Sequence, residues 1–110
     1  MWVDLGTTTG REQAGRRPAL VVAGRDYLRL VDTLAVVVPL TTVDRGWPNH
    51  VPVAGGSLDT ASWAMTEQVR TVSRERVTKV DGVCSGATMV AVRRWLSDFL
   101  ELNRSGAGAL

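Results

Sequence analysis

The segment Thr33–Thr42, Thr-Leu-Ala-Val-Val-Val-Pro-Leu-Thr-Thr, constrains the fold of this chain more than any other. Its uninterrupted apolar stretch, Leu34–Leu40, falls far short of the ~20 residues a membrane-spanning helix needs. Three successive valines, Val36–Val38, are β-branched and fit a pleated surface, so this is the most strand-like segment in the sequence. Pro39 predicts a bulge or an edge near its end, because proline has no N–H to give to a ladder.

The neighbouring segments read in the same way. Trp2–Leu5 is a short alternating strand stopped by Gly6, and the stretch Gly6–Arg17 shows no sustained periodicity and reads as a long exposed loop. Pro18–Ala23 is a buried strand entered through a proline, and Asp26–Leu30 a helical turn or loop. Val43–Asn49, with Asp44, Gly46 and Pro48, is a loop, and His50–Val53 a short strand followed by a turn at Ala54–Ser57. Strands are expected over Ser62–Thr66, Gln68–Val72 and Thr78–Val83, with a one-turn helix at Ser73–Arg76 between the last two.

The final element changes period. From Thr88 onward Met89, Val92, Leu96, Phe99 and Leu100 recur at helical spacing, opposite Arg93, Arg94, Asp98 and Glu101. Ser85 suits the N-cap, and the helix is expected to end near Leu102. The sum is a mainly β domain over residues 1–102 with a C-terminal α-helix, its short antiparallel strands suggesting a small barrel or half-barrel. Residues 103–110, rich in Gly and Ala, read as a frayed tail.

Composition narrows the chemistry. One domain's worth of sequence, 110 residues with 45% hydrophobic content, supports a self-sufficient core. The N-terminus has neither the basic start nor the apolar stretch of a signal peptide, so a cytoplasmic location is expected. Cys84 is the only cysteine, which excludes an intrachain disulfide and a cysteine-based zinc site, and its apolar context marks it as a buried thiol. His50 is the only histidine, which argues against a multi-histidine metal site and excludes a two-histidine acid–base pair within one subunit. The net charge is only +2, yet twelve of thirteen basic residues are arginine. Arginine's planar fork suits phosphate, although GC-rich coding would give the same bias, so composition permits a nucleic-acid partner without demanding one.

Three ordered motifs carry a resemblance. The first is Trp2-Val3-Asp4-Leu5-Gly6 followed by Gly10–Val22, where an acidic residue and glutamine, Glu12-Gln13, precede a small-residue turn and then Arg17-Pro18. The second is Val38-Pro39-Leu40-Thr41-Thr42, continued by Arg45-Gly46-Trp47-Pro48. The third is Glu67-Gln68-Val69-Arg70-Thr71. Together they resemble the MazF/PemK/Kid toxins of type II toxin–antitoxin systems across nearly the whole chain. A departure lies at the start: relatives usually open with a short basic Arg-Gly-acidic segment, and here Met1 directly precedes Trp2, so a shorter first strand with less pairing is one expectation.

The resemblance implies an SH3-like small antiparallel barrel of the PemK/CcdB-like kind, in a homodimer with a shared groove for single-stranded RNA. It implies a metal-independent, cofactor-free endoribonuclease, an mRNA interferase, in which the residues matching Arg17 and Thr41 are the catalytic pair. Such chemistry uses the ribose 2′-OH as an internal nucleophile, so proximity supplies much of the acceleration, and DNA lacks the nucleophile. A guanidinium is a permanent cation with bidentate hydrogen bonding to phosphate, suited to charge stabilisation and poorly suited to proton uptake. The base is open between Glu12, the favoured candidate, and Glu67, whose counterpart in Kid-like relatives has that role. Gln13, Arg16, Thr42, Trp47, Glu67, Gln68 and Arg70 are candidate RNA contacts, Trp47 as a stacking platform. Taken singly, each has a plain structural alternative: loop stabilisation for Gln13, Gln68 and Arg70, packing for Trp47, strand propensity for the threonines.

The implied partner is a cognate MazE-like antitoxin with an acidic C-terminal segment that orders on binding and fills the groove. Two other readings stay open. A CcdB-like toxin shares the fold and poisons a topoisomerase without cleaving anything, but acts through an aromatic-containing C-terminus that Ser105–Leu110 lacks. A non-catalytic SH3-like binding module is the other.

Overall fold

The computed structural model describes residues 2–5, 17–54 and 60–102. Its elements in chain order are β1 (Trp2–Leu5), β2 (Arg17–Val21), α1 (Arg25–Leu30), β3 (Leu34–Thr41), β4 (His50–Pro52), β5 (Trp63–Met65), β6 (Arg70–Ser73), β7 (Val77–Gly82) and α2 (Gly86–Phe99). Single 3₁₀ turns at Thr66–Gln68 and Arg74–Arg76 flank β6. The mainly β body with one C-terminal helix matches the expectation, and so does the one-turn helix before β7. Residues 6–16, 55–59 and 103–110 lie outside the described residues, and with them the expected loop, part of the turn after β4 and the tail.

All seven strands share one antiparallel sheet, ordered β4-β5-β3-β2-β1-β7, with β6 beside β3 off that path. The expected barrel does not close: β4 and β7 end the path and do not pair with each other. Closure needs strands long enough to tilt and stagger around an axis, and β4 and β5 have three residues each. The sheet is a small open one.

β3 is the spine. One edge pairs with β2, while the other is shared end to end by β6, against residues 34–37, and β5, against Leu40 and Thr41. The Val22 N–H donates to the Val36 carbonyl at 2.9 Å, so even-numbered backbone groups of β3 face β2 and odd-numbered ones face the divided edge. Pro39 therefore turns its missing N–H toward the handover between β6 and β5, where no ladder bond is lost. The proline does not end the strand; it sits where two partners meet.

Alternation gives each sheet face its own core. Leu20, Val22, Val38, Leu40, Ala64 and Val92 belong to a cluster under α2, joined by Cys84, which is buried as expected. Val3, Leu5, Ala19, Val21, Ala35 and Val37 form a second cluster on the opposite face. β1 pairs with β2 on one side and, with irregularities at Trp2/Val3 and Asp4/Leu5, with β7 on the other, and Val3 is wholly buried.

Helix α2 starts two residues earlier than its apolar pattern. The Ser85 hydroxyl caps it by accepting from the Thr88 N–H at 3.1 Å. Thr88 is itself buried, and its hydroxyl accepts from the Ala54 N–H, tying the helix start to the end of β4. The last turn runs past the sheet: Phe99 and Leu100 are 48% and 60% exposed, so periodicity overstated their burial. The segment expected as a helical turn or loop at Asp26–Leu30 is a short α-helix, Arg25–Leu30. Its final carbonyls, Leu28 and Val31, accept from the Arg74 guanidinium, a cationic cap that also suits the negative end of the helix. No described helix is long and apolar enough to cross a membrane.

Candidate active site

Register alone brings the two expected catalytic residues together. Arg17 opens β2 and Thr41 closes β3. The β2–β3 ladder reaches Ala19 and Pro39 at this end, and Arg17 and Thr41 each lie two residues beyond that last pair. On its other side Arg17 pairs with Leu5 of β1. Thr41 pairs in turn with Trp63 of β5. Paired residues share a sheet face, and strands lie about 4.8 Å apart. The pairs Leu5–Arg17 and Thr41–Trp63 therefore lie at the same end of one face of the sheet. This is the face away from α2.

A cleft of about 380 Å³ opens at this end of the face, lined by Arg17, Arg70, Arg76, Gln68, Met65 and Pro39 among others. Three arginines line one concave surface, and guanidinium forks match phosphate oxygens. Arg76 carries no motif signal and escaped the sequence reading. Its place at the end of the 3₁₀ turn before β7 brings it to the cleft only once β7 has paired with β1.

Arg70 is held in place. Its Nη2 donates to Gln68 Oε1 at 3.0 Å and its Nε to the Gln68 carbonyl at 3.3 Å. Gln68 lies in the 3₁₀ turn rather than in the expected strand, and the fork it supports faces the same side as Val37, with which Arg70 pairs. The Thr41 hydroxyl accepts from the Val43 N–H at 3.1 Å, which leaves its own proton to donate. Thr42 is exposed at the bend beyond.

The loop 43–49 is more ordered than its composition suggests. Asp44 Oδ1 accepts from the Gly46 N–H at 2.9 Å, and Gly46 adopts φ +73°, a conformation glycine supplies without strain. At its far end the Asn49 carbonyl accepts from the Thr66 hydroxyl at 2.7 Å, and Asn49 Nδ2 donates to Glu67 Oε1 at 2.8 Å. Trp47 projects from this loop, 48% exposed, with its ring 4.7 Å from that of His50.

Glu67 faces His50 across β4 and the 3₁₀ turn. His50 Nε2 lies 3.0 Å from Oε1 and 3.1 Å from Oε2, and the imidazole is buried with 2% of its side chain exposed, against 31% for Glu67. The Nε2 proton must lie between the two oxygens for either contact to be a hydrogen bond. Burial raises the Glu67 pKa, but the hydrogen bonds from His50 and the backbone, the His50 charge and Asn49 together outweigh it, and the carboxyl ends below its ordinary value of 4.5. It is a firmly ionised acceptor and a weakened base.

Among the described residues no three His, Cys, Asp or Glu side chains converge as metal ligands. Glu12, Gln13 and Arg16 lie outside the described residues.

Fold and cleft describe a class first: a small open β-sheet with a C-terminal helix on one face and an arginine-lined groove on the other. The sequence profile of the PemK-like, MazF-like toxin of type II toxin-antitoxin system matches residues 1–100, and the chain belongs to that family. The Escherichia coli K12 protein named endoribonuclease toxin MazF is 36% identical over 73 residues, 66% of this chain and 63% of that relative. The chain thus matches somewhat less than two thirds of the curated relative's length. The crystal structure of MazF from Deinococcus radiodurans superposes with a TM-score of 0.72 at 27% identity, covering 91% of this chain and 92% of that one. A MazE–MazF complex structure from the same organism gives 0.71 at 25% identity over 92% and 90% of the two chains.

Proposed function

We propose that this chain is a sequence-specific, metal-independent endoribonuclease toxin that cleaves single-stranded RNA and is neutralised by a cognate antitoxin. The observation that carries the reading is the cleft that Arg17 shares with Arg70 and Arg76, at the end of the sheet where β3 closes with Thr41. Family membership and the named activity of the Escherichia coli relative support it.

In the proposed reaction the ribose 2′-oxygen attacks the adjacent phosphorus while the bond to the 5′-oxygen breaks. The products are a 2′,3′-cyclic phosphate and a 5′-hydroxyl; the 2′-OH proton passes to a base, and the departing oxygen takes one up. Arg17 stabilises charge gathering on the phosphoryl oxygens. Thr41 donates to the same phosphate and holds it in line. Because the nucleophile is part of the substrate, no metal-activated water is required. Arg70, fixed by Gln68, and Arg76 would hold flanking phosphates. Glu67, ionised and weakened as a base by His50, suits recognition better than proton uptake. The proposed proton acceptor is therefore Glu12.

The same cationic cleft suits an acidic antitoxin segment, which would order on binding and cover Arg17. The MazE–MazF complexes of Deinococcus radiodurans support such a partner, and we place the toxin in a homodimer whose subunits share the groove. Antitoxin affinity should fall as salt rises; an affinity indifferent to salt would remove charge from this picture. The direct test is incubation with mixed-sequence single-stranded RNA in excess EDTA, with analysis of the new ends. Cyclic phosphates and 5′-hydroxyls are expected. Intact RNA, across varied sequences that include tRNA, would overturn the reading.

A further inference from the structure

We infer that Trp47, His50 and Glu67 form a nucleobase subsite beside the arginine cleft. In it a base bearing an exocyclic amino group stacks on Trp47 and donates to Glu67, and His50 is the positioning residue. The inference rests on the reading of the cleft as an RNA site, and it names what that site would select.

Register places the subsite. His50 pairs with Met65, and Trp63, two residues before Met65, pairs with Thr41. Since alternate residues of a strand share a face, His50 lies on the same face as Thr41 and Arg17, two strands beyond β3 and two residues along, roughly 12 Å from Thr41 and roughly 16 Å from Arg17 at the usual strand spacing and rise. Met65 and Gln68, on either side of Thr66 and Glu67, line the cleft. The His50–Glu67 pair is thus near its rim, one or two nucleotides along from the phosphate that Arg17 would hold.

The chemistry is selective. An ionised carboxylate only accepts hydrogen bonds. The amino groups of adenine, cytosine and guanine are donors, whereas uracil offers carbonyl oxygens where they carry an amine. Asn49 occupies Oε1 at 2.8 Å, and His50 bridges both oxygens from the buried side. The Glu67 side chain is 31% exposed, so its carboxylate keeps acceptor capacity toward solvent. Trp47 gives its half-exposed ring as a stacking surface, backed by the His50 ring.

His50 is an expensive way to fill that volume. Its Nδ1 is buried without a hydrogen-bond partner, a loss that a phenyl ring of similar shape would avoid. What the imidazole adds over a phenyl ring is the Nε2 contact that fixes the carboxylate. The buried, half-satisfied histidine therefore points to the exposed group it orients.

The test uses short 2′-O-methyl RNAs, which resist cleavage, with one position set in turn to A, C, G or U and scanned along the strand. The parent should bind amino-bearing bases about tenfold better than uracil at one position, the scale of one good base contact. Glu67→Gln should reduce that preference below about threefold. His50→Phe should do the same at an unchanged unfolding midpoint, His50→Gln, which keeps a donor, should restore most of it, and Trp47→Ala should weaken all four bases alike. A preference that survives Glu67→Gln, or a parent with none, overturns the subsite. A preference lost in Glu67→Gln but kept in His50→Phe overturns the role of His50. Should His50→Phe fail to fold, Glu67→Gln, a change at the surface, still decides. Cleavage of mixed RNA is followed in parallel: a parent that cleaves with no base preference sinks the subsite alone, and one that selects bases without cleaving sinks the nuclease alone.

Discussion

The two faces of the sheet obey different rules. Under α2, Leu20, Val38, Leu40 and Val92 form a continuous apolar cluster that the helix covers. On the opposite face, Ala19, Val21, Ala35 and Val37 form a thinner cluster that gives way toward one end of the strands to Arg17, Arg70 and Arg76. The same strands supply both, because neighbouring residues point to opposite sides. Stability and ligand contact are therefore divided by parity of position along β2 and β3. Leu20 and Arg17, three residues apart in one strand, should fail in different ways when replaced.

The largest effect belongs to the covered face. Leu20→Ala truncates a wholly buried side chain and should cost about 2–5 kcal/mol in chemical unfolding. A loss under about 1 kcal/mol would mean that the helix face is not the main core. Ser85→Ala removes the cap that starts α2 and should cost about 1 kcal/mol, with the cleft untouched.

The smallest effect concerns Glu67 and is read by pH. Its folded pKa is lowered, so the unfolded carboxyl takes up a proton first as pH falls. The pair with His50 contributes fully above the ordinary value of 4.5 and is lost as pH falls through the lower folded value. The difference in melting temperature between the parent and Glu67→Gln should be complete at pH 7 and should close below pH 4.5. A gap that widened on acidification would contradict the assigned sign.

The covered face was the legible one. Valine runs and helical periodicity report burial directly, so β3, α2 and the fate of Cys84 could be read from sequence. Phe99 and Leu100 were misjudged because periodicity knows the helix face but not where the sheet beneath it ends. Pro39 was read as a bulge or an edge, and one strand's pattern could not reveal that the edge it faces is divided between β6 and β5. A barrel or half-barrel was expected from the short antiparallel strands and from the family resemblance, whereas the sheet stays open between β4 and β7.

The open face was legible only in part. Arg17 and Thr41 stand out through motif resemblance, and register then explains their proximity. Arg76 has no such mark, because only the pairing of β7 with β1 carries it to the cleft. His50 looked like an isolated histidine. Its meaning comes from Glu67, seventeen residues away, and that contact forms only when Asn49 and Thr66 join the loop to the turn.

The most direct measurement compares the parent with Arg17→Ala on mixed single-stranded RNA in excess EDTA, with unfolding midpoints measured on the same samples. Matching midpoints and a cleavage rate lower by about 10²–10³ are expected, the usual loss of one preorganised donor to developing charge. Equal cleavage rates from two equally folded proteins would contradict the placement of the chemistry at Arg17.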